Sequence, residues 1–249
     1  MSFSVGIQLF QLQDEMKRDF DGVMDALAEL GVMGVELHES LDLSRIGDAC
    51  KARGIEIIGT HVSMESLQNN LDGLIDEQLK LGGKYVTCAY HAFHSMDDIE
   101  RNAQFYNRVG EIIAENGMIF CYHNHFKEFT TIDGRYALDL LFEHTNQQYV
   151  KAELDVYFMK EMGIDPVQYI RPYKNRCPLL HAKDIRRTGA ENEVVALGTG
   201  ELDLQNVLQA ADDIGTEWII IELSKAALKH NPLGLIETSI QNFKNTVGG

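Results

Sequence analysis

Strand-like runs and amphipathic helical stretches alternate along the whole chain. Short runs rich in β-branched and aromatic residues, bounded by turn residues, read as strands. Apolar positions recurring every three or four residues read as helices. The strand runs are Ser4–Phe10, Gly34–His38, Glu56–Val62, Tyr85–His91, Met118–His125, Val150–Val156, Pro178–Ile185 and Trp218–Ser224. Between and after them lie the helical stretches Phe20–Leu30, Leu43–Arg53, Leu67–Leu81, Ile99–Asn116, Leu138–His144, Pro166–Tyr173, Leu204–Ile214 and Pro232–Thr246. Gly31, Gly54, Gly82-Gly83, Gly117 and Gly215 each follow a helical run, where a left-handed cap residue is expected. A βα beat of roughly 30 residues, repeated eight times, predicts a closed parallel (β/α)8 barrel, the TIM barrel, with residues 1–249 as one α/β domain. No G-x-G-x-x-G follows the first strand, which weakens a dinucleotide-binding sheet.

Composition narrows the function classes. With 45% hydrophobic residues the chain is globular rather than disordered. No apolar run approaches the roughly 18–20 residues of a membrane span. The opening Met1–Val5 enters a strand with no basic, apolar leader, so a cytoplasmic location is expected. A net charge of −16 repels phosphate backbones, and no cluster of Lys and Arg relieves it, so nucleic acid is disfavoured as a partner. Cys50, Cys88, Cys121 and Cys177 lack C-x-x-C spacing and read as buried, reduced thiols.

The chemistry gathers where the predicted strands end. Glu36 and His38 end the second, His61 the third, His91 the fourth, and His123 and His125 the fifth. Asp155 ends the sixth, His181 and Lys183 the seventh, and Glu222 the eighth. In a (β/α)8 barrel these ends form one rim, the active face. Burying several ionisable groups together is costly unless a cation or paired charges compensate. Residues at i and i+2 share a strand face, so His123 pairs with His125, Asp155 with Glu153 and Lys151, and His181 with Lys183. His123, Asp155, His181 and Glu222 come from four successive strands and can surround one divalent metal ion, leaving positions open for substrate or water. Such a mixed donor set suits Mn or Zn foremost, with Fe and Mg open as well. The alternative is a rim of salt bridges without metal.

The motifs YHNHFKEF (Tyr122–Phe129), ELDVYFMKEMGIDPVQYI (Glu153–Ile170), LLHAKDI (Leu179–Ile185), LGTGELDLQNVL (Leu197–Leu208) and IIIELSKA (Ile219–Ala226) resemble the sugar phosphate isomerase/epimerase group of the xylose isomerase-like barrels. GVELHES (Gly34–Ser40) and IGTHVSM (Ile58–Met64) extend the resemblance over essentially the whole chain. It implies a metal held by Glu, Asp, His and Glu from strands five to eight. Asp155, His181 and Glu222 match the last three; His123 stands at the first, as in the YHNH form of the motif. Lys183 matches the lysine of an H-x-K-D signature, and His61 the strand-three histidine. Many ketose epimerases carry a histidine three residues after the aspartate, where this chain has Phe158.

The implied activity is removal of a proton beside a carbonyl of a small carbohydrate, the metal stabilising the developing enediolate. Glu222 is the candidate base, with purely structural ligation as its alternative. Glu128 is the candidate second acid–base group, or else a surface residue of a loop. Lys183 polarises a substrate oxygen, or forms an ion pair with Asp184 or a rim carboxylate. Glu36, His61, His91 and His125 are candidate substrate-binding residues. An isomerase or epimerase is expected first, and a lyase or hydrolase of 3-keto-glycosides second, because elimination needs one base and an acid rather than two opposed bases. An endonuclease IV-like repair enzyme is a distant third, and a non-catalytic sugar-binding barrel a fourth. Gly198 and Gly200 place backbone amides where a phosphate or sugar could meet them, or simply form tight turns. Glu153 is expected deeper in the barrel, paired with Lys151 or a neighbour. Association into a homo-oligomer is left open.

Overall fold

A computed structural model describes residues 1, 3–188, 191–223 and 231–248, with the backbone alone at 191 and 192. Eight parallel strands close into a barrel: β1 Ser4–Gln8, β2 Gly34–His38, β3 Glu56–Val62, β4 Tyr85–Cys88, β5 Ile119–His123, β6 Val150–Asp155, β7 Leu179–Ala182 and β8 Trp218–Ile221. Each pairs with its sequence neighbours, and β1 closes the ring on β8 through Ser4↔Trp218 to Ile7↔Ile221. The expected α/β architecture, a single (β/α)8 TIM barrel, is the observed one. The eighth strand was expected to run to Ser224; that residue, and Ser224–Ala226 of the last motif, lie outside the described residues.

The main outer helices are α1 Phe20–Glu29, α2 Leu43–Arg53, α3 Leu71–Leu81, α4 Met96–Glu115, α5 Ala137–His144, α6 Pro166–Ile170, α7 Leu204–Ile214 and α8 Pro232–Gly248. Aspartate side chains open several of them: Asp42 accepts from Arg45 N at the start of α2, and Asp203 from Asn206 N at the start of α7. Gly54 and Gly82 close α2 and α3 at φ 69° and 76°, the left-handed conformation a Cβ disfavours. No helix among the described residues is long and apolar enough to cross a membrane.

Several boundaries depart from the expected ones; β5 stops at His123, for instance, which leaves His125 in the loop beyond it. The stretch Leu67–Leu81 is split at Asn70 into Met64–Asn69 and α3. Strand β4 stops at Cys88, because its partner β3 ends at Val62 opposite it; His91 therefore lies in the following loop, not at a strand end. The seventh run divides into β7 and an antiparallel hairpin, Asp184–Thr188 with Glu191–Val195, a pairing between chain segments that period alone does not reveal.

Inward-facing side chains stack in layers along the barrel axis. Ile58, Tyr85, Cys121, Leu179, Trp218 and Ile220 form an apolar plug. Trp218 fits because β2 carries glycine opposite it: a Cβ on Gly34 would lie 2.7 Å from the indole ring. One step further along the strands the layer turns polar, with Gln8, Glu36, His61, Thr87, His123, Glu153 and His181, all buried. Asp155, Lys183 and Glu222 form the next layer, at the rim.

Candidate metal centre

The strand register carries the assembly. His123 lies opposite Glu153, and Asp155 opposite His181, across adjacent parallel strands. Period two then brings both members of each pair onto the inner face.

Two groups of metal-binding side chains result, joined through His181. In the deeper one, ligand atoms of His61, His123, Glu153 and His181 lie within 4.8 Å of one another. Glu153 Oε1 is its hub, 2.6 Å from His61 Nε2 and 3.0 Å from both His123 Nδ1 and His181 Nε2. Thr87 Oγ1 donates to the other oxygen, Glu153 Oε2, at 2.8 Å. Glu36 Oε2 receives the Gln8 side-chain amide at 2.8 Å and faces His181 Nε2 at 2.8 Å and His61 Nε2 at 3.0 Å. In the outer group, ligand atoms of Asp155, His181 and Glu222 also lie within 4.8 Å of one another. His181 Nδ1 is 3.0 Å from Glu222 Oε2. Lys183 Nζ bridges the two carboxylates, 3.0 Å from Asp155 Oδ2 and 2.8 Å from Glu222 Oε2.

The charge states follow from this packing. Burial disfavours a charged imidazole, but Glu36 and Glu153 outweigh it at His61 and push that group up to about 10. They hold His181 well above the usual histidine range by the same balance. His123 goes the other way: burial, reinforced by the neighbouring His181, pushes it down to about 3 and keeps it neutral. Burial works against the Glu222 carboxylate, yet Lys183 and His181 hold it well below the ordinary range.

These residues fit a divalent cation. A ligating imidazole must be neutral; His123 already is, and His181 would release a proton on binding the ion. Asp155 Oδ1 is spent on Tyr157 N at 2.8 Å, whereas Asp155 Oδ2 is buried with no hydrogen bond, its contact with Lys183 being out of line for one. Glu36 Oε1 and His123 Nδ1 are likewise buried without a hydrogen-bond partner. Uncompensated buried acceptors in a carboxylate cluster are costly, and a cation relieves that cost.

The remaining candidates scatter. His125 is half-buried, its ring 5.0 Å from that of Phe158, and burial pushes it down to about 3. With Phe10, Tyr157, Phe158, Lys183 and Glu222 it lines a rim cavity of about 320 Å³. His91 stands apart, packed on Phe93, its carbonyl accepting from Tyr122 OH at 2.7 Å. Glu128 is wholly buried and faces away from the cluster: one oxygen lies 2.9 Å from the Tyr122 hydroxyl and the other accepts from His125 N at 3.0 Å. Asn124 reaches across to accept from Asp155 N at 3.0 Å, tying β5 to β6 at the rim.

The packing decides between alternatives left open at two places. Lys151 turns out of the barrel to the Asn175 carbonyl, so Glu153 pairs with the histidines instead. The amides of Gly198, Gly200 and Leu202 are not offered to a ligand; all three donate to the carboxylate of Asp184, which also takes Ile185 N. With Asp184 so occupied, Lys183 pairs across the rim. Sequence reasoning missed Gln8 and Thr87, and undervalued Glu153. The signal for Glu153 was its place two residues before Asp155 on the same strand face.

A family model described as xylose isomerase-like TIM barrel matches residues 24–246. The chain belongs to the xylose isomerase-like TIM barrel family. A sugar phosphate isomerase/epimerase from Parabacteroides distasonis superposes on this barrel with a TM-score of 0.84 at 22% identity, over 99% of this chain and 96% of that one. The IOLI protein, crystallised with a bound zinc atom, superposes with a TM-score of 0.77 at 14% identity, over 99% and 98%. At such identities the likeness is one of fold. The inosose dehydratase of Clostridium perfringens is 23% identical over 202 residues, which cover 75% of this chain and 63% of that protein. The chain thus spans less than two thirds of the curated relative it matches.

Proposed function

We infer that this xylose isomerase-like barrel is a divalent-metal-dependent enzyme that eliminates water from a keto-sugar or cyclic keto-polyol. The observation that carries this reading is the makeup of the rim cavity. Glu222 is the one carboxylate among its described lining residues, with Lys183 beside it. Glu128, the group expected to serve as a second carboxylate, is committed to Tyr122 and the His125 amide. One base beside one cation suits elimination better than epimerisation, which calls for two groups on opposite faces of a carbon. The likeness to an inosose dehydratase points the same way.

Asp155, His181 and Glu222 would hold the ion, with His123, neutral and one layer deeper against the His181 ring, as the fourth ligand. Manganese or zinc suits this donor set best. Bound there, the ion would act as a Lewis acid on the substrate carbonyl and acidify the adjacent C–H. Glu222, kept ionised by Lys183, accepts that proton. Its conjugate acid then protonates the hydroxyl on the next carbon, which departs as water while the C–C double bond forms. Lys183, held charged by Asp155 and Glu222, steadies negative charge on the substrate oxygens. His125, neutral and half-buried in the cavity wall, offers hydrogen bonds to hydroxyl groups.

His125 also favours a second reading. Its Nδ1 has no hydrogen-bond partner, and return of a proton from that side would give an isomer or epimer. Mass spectrometry after incubation of the Mn²⁺-loaded protein with an inosose and a panel of keto-sugars separates the two. Loss of one water supports elimination, and an equal-mass product supports isomerisation. If no substrate turned over, or Glu222→Gln turned over as fast as the wild type, both readings would fall.

A further inference from the structure

Glu36 was expected to touch substrate, yet it has no exposed surface. The geometry points to another role, that of a positioning residue: Glu36 accepts the Nε2–H of His181 and so turns the Nδ1 lone pair of that imidazole toward Asp155 and Glu222. This rests on the metal-site reading above and adds to it the group that orients a ligand.

A continuous chain of contacts fixes the orientation. The Phe10 amide donates to Gln8 Oε1 at 2.8 Å, which settles which end of the Gln8 side chain is oxygen. Gln8 Nε2 must then donate to Glu36 Oε2 at 2.8 Å, and the same oxygen meets His181 Nε2 at 2.8 Å. A second carboxylate oxygen, Glu153 Oε1, lies 3.0 Å from that nitrogen. A lone pair on Nε2 would face two anionic oxygens at hydrogen-bond distance, so Nε2 carries the hydrogen. A metal-bound imidazole is neutral and keeps one N–H, so an ion seated on the Asp155 and Glu222 side would displace the proton of Nδ1, which stands 3.0 Å from Glu222 Oε2, and take Nδ1 as its ligand atom. Carboxylate partners of this kind set the tautomer and basicity of metal-bound histidines, and their loss costs about 10–100-fold in affinity. The alternative, an ion seated in the deeper group, would need Nε2 itself as ligand. In that group His61 Nε2 already pairs with Glu153 Oε1 at 2.6 Å and His181 Nε2 faces two carboxylates, Glu36 at 2.8 Å and Glu153 at 3.0 Å, whereas His181 Nδ1 faces one, Glu222 Oε2 at 3.0 Å.

The test is calorimetric titration of Mn²⁺ into metal-stripped wild type, Glu36→Gln and Asp155→Ala, with a thermal melt to establish that each variant folds. Glu36→Gln is expected to bind Mn²⁺ about 10-fold or more weakly while melting cooperatively, and Asp155→Ala to lose binding. If Glu36→Gln bound as tightly as wild type while Asp155→Ala did not bind, the positioning role would be refuted and the metal site would stand. If Asp155→Ala bound as wild type, the metal-site reading itself would fail. Should Glu36→Gln not fold, the wild-type protein still decides. In Zn²⁺-loaded, ¹⁵N-histidine-labelled protein, His181 (assigned through His181→Asn) should show a protonated Nε2 and a metal-bound Nδ1. The reverse pattern would overturn the proposal.

Discussion

Glu222 shows most directly how one side chain's surroundings set its work. Its carboxylate is 24% exposed, against 0% for Asp155, Glu153 and Glu36, so among these four it is the one a substrate can reach. In the proposed reaction Glu222→Gln removes the base and should lower kcat by about 10²–10⁴-fold, read with whichever substrate the mass-spectrometric screen identifies. The cysteines are the inert counterpart. Burial pushes Cys50, Cys88 and Cys177 each up to about 12, and Cys121 higher than the ordinary thiol. Native protein at neutral pH should therefore leave all four thiols unreacted with a disulfide reagent, and denatured protein should expose all four. Between pH 9 and 12 the unfolded chain has lost thiol protons that the folded one keeps, so stability falls as pH rises through that window. Cys50→Ala should flatten that fall in alkaline urea titrations.

At the scale of elements, function depends on how loops are fastened to the barrel mouth. One buried carboxylate, Asp184, accepts four backbone N–H groups and holds the 197–202 loop against the end of β7. Asparagine there offers one oxygen and turns an NH₂ toward N–H donors, leaving buried donors unpaired. Asp184→Asn should cost about 2–4 kcal/mol, seen as a lower urea midpoint at unchanged slope. The plug is equally exacting. Gly34→Ala would press a methyl group into Trp218 and Ile58, for an expected loss of about 1–3 kcal/mol in the same assay. Both elements were visible in the chain, but their partners were not. LGTGEL reads as a glycine-rich loop in any context, and only the packing assigns its amides to Asp184. His91 continues a run of strand-forming residues, yet pairing ends at Cys88 because β3 has ended.

Across the whole molecule, the buried polar layer sits between an apolar plug and an open rim, where carboxylates and imidazoles strain against desolvation. An ion that binds the folded chain alone adds stability as RT ln(1 + [L]/Kd), about 2.7 kcal/mol at a hundredfold excess over Kd. Mn²⁺ or Zn²⁺ should raise the melting temperature and a chelator should lower it. His123→Ala and His181→Ala should blunt that difference. An unchanged melting temperature in wild type would count against the site.

The sequence by itself determined the architecture and the ring of chemical groups. Periods of two and of about 3.6 residues, punctuated by glycine, are local properties, and eight repeats of one βα beat leave little choice but closure. Parallel closure then sends every strand end to one rim, so Glu36, His61, His123, Asp155, His181 and Glu222 could be named from position alone. What each group meets depends on register and on strands distant in sequence. Register places Glu153 opposite His123, and closure brings Glu36 of β2 within 2.8 Å of His181 on β7. The split of one rim into two groups sharing a histidine, and the diversion of Glu128 and the glycine loop away from the ligand, were decided by tertiary structure. A hydrogen bond is a matter of a few tenths of an ångström and an angle, and neither is written in residue spacing.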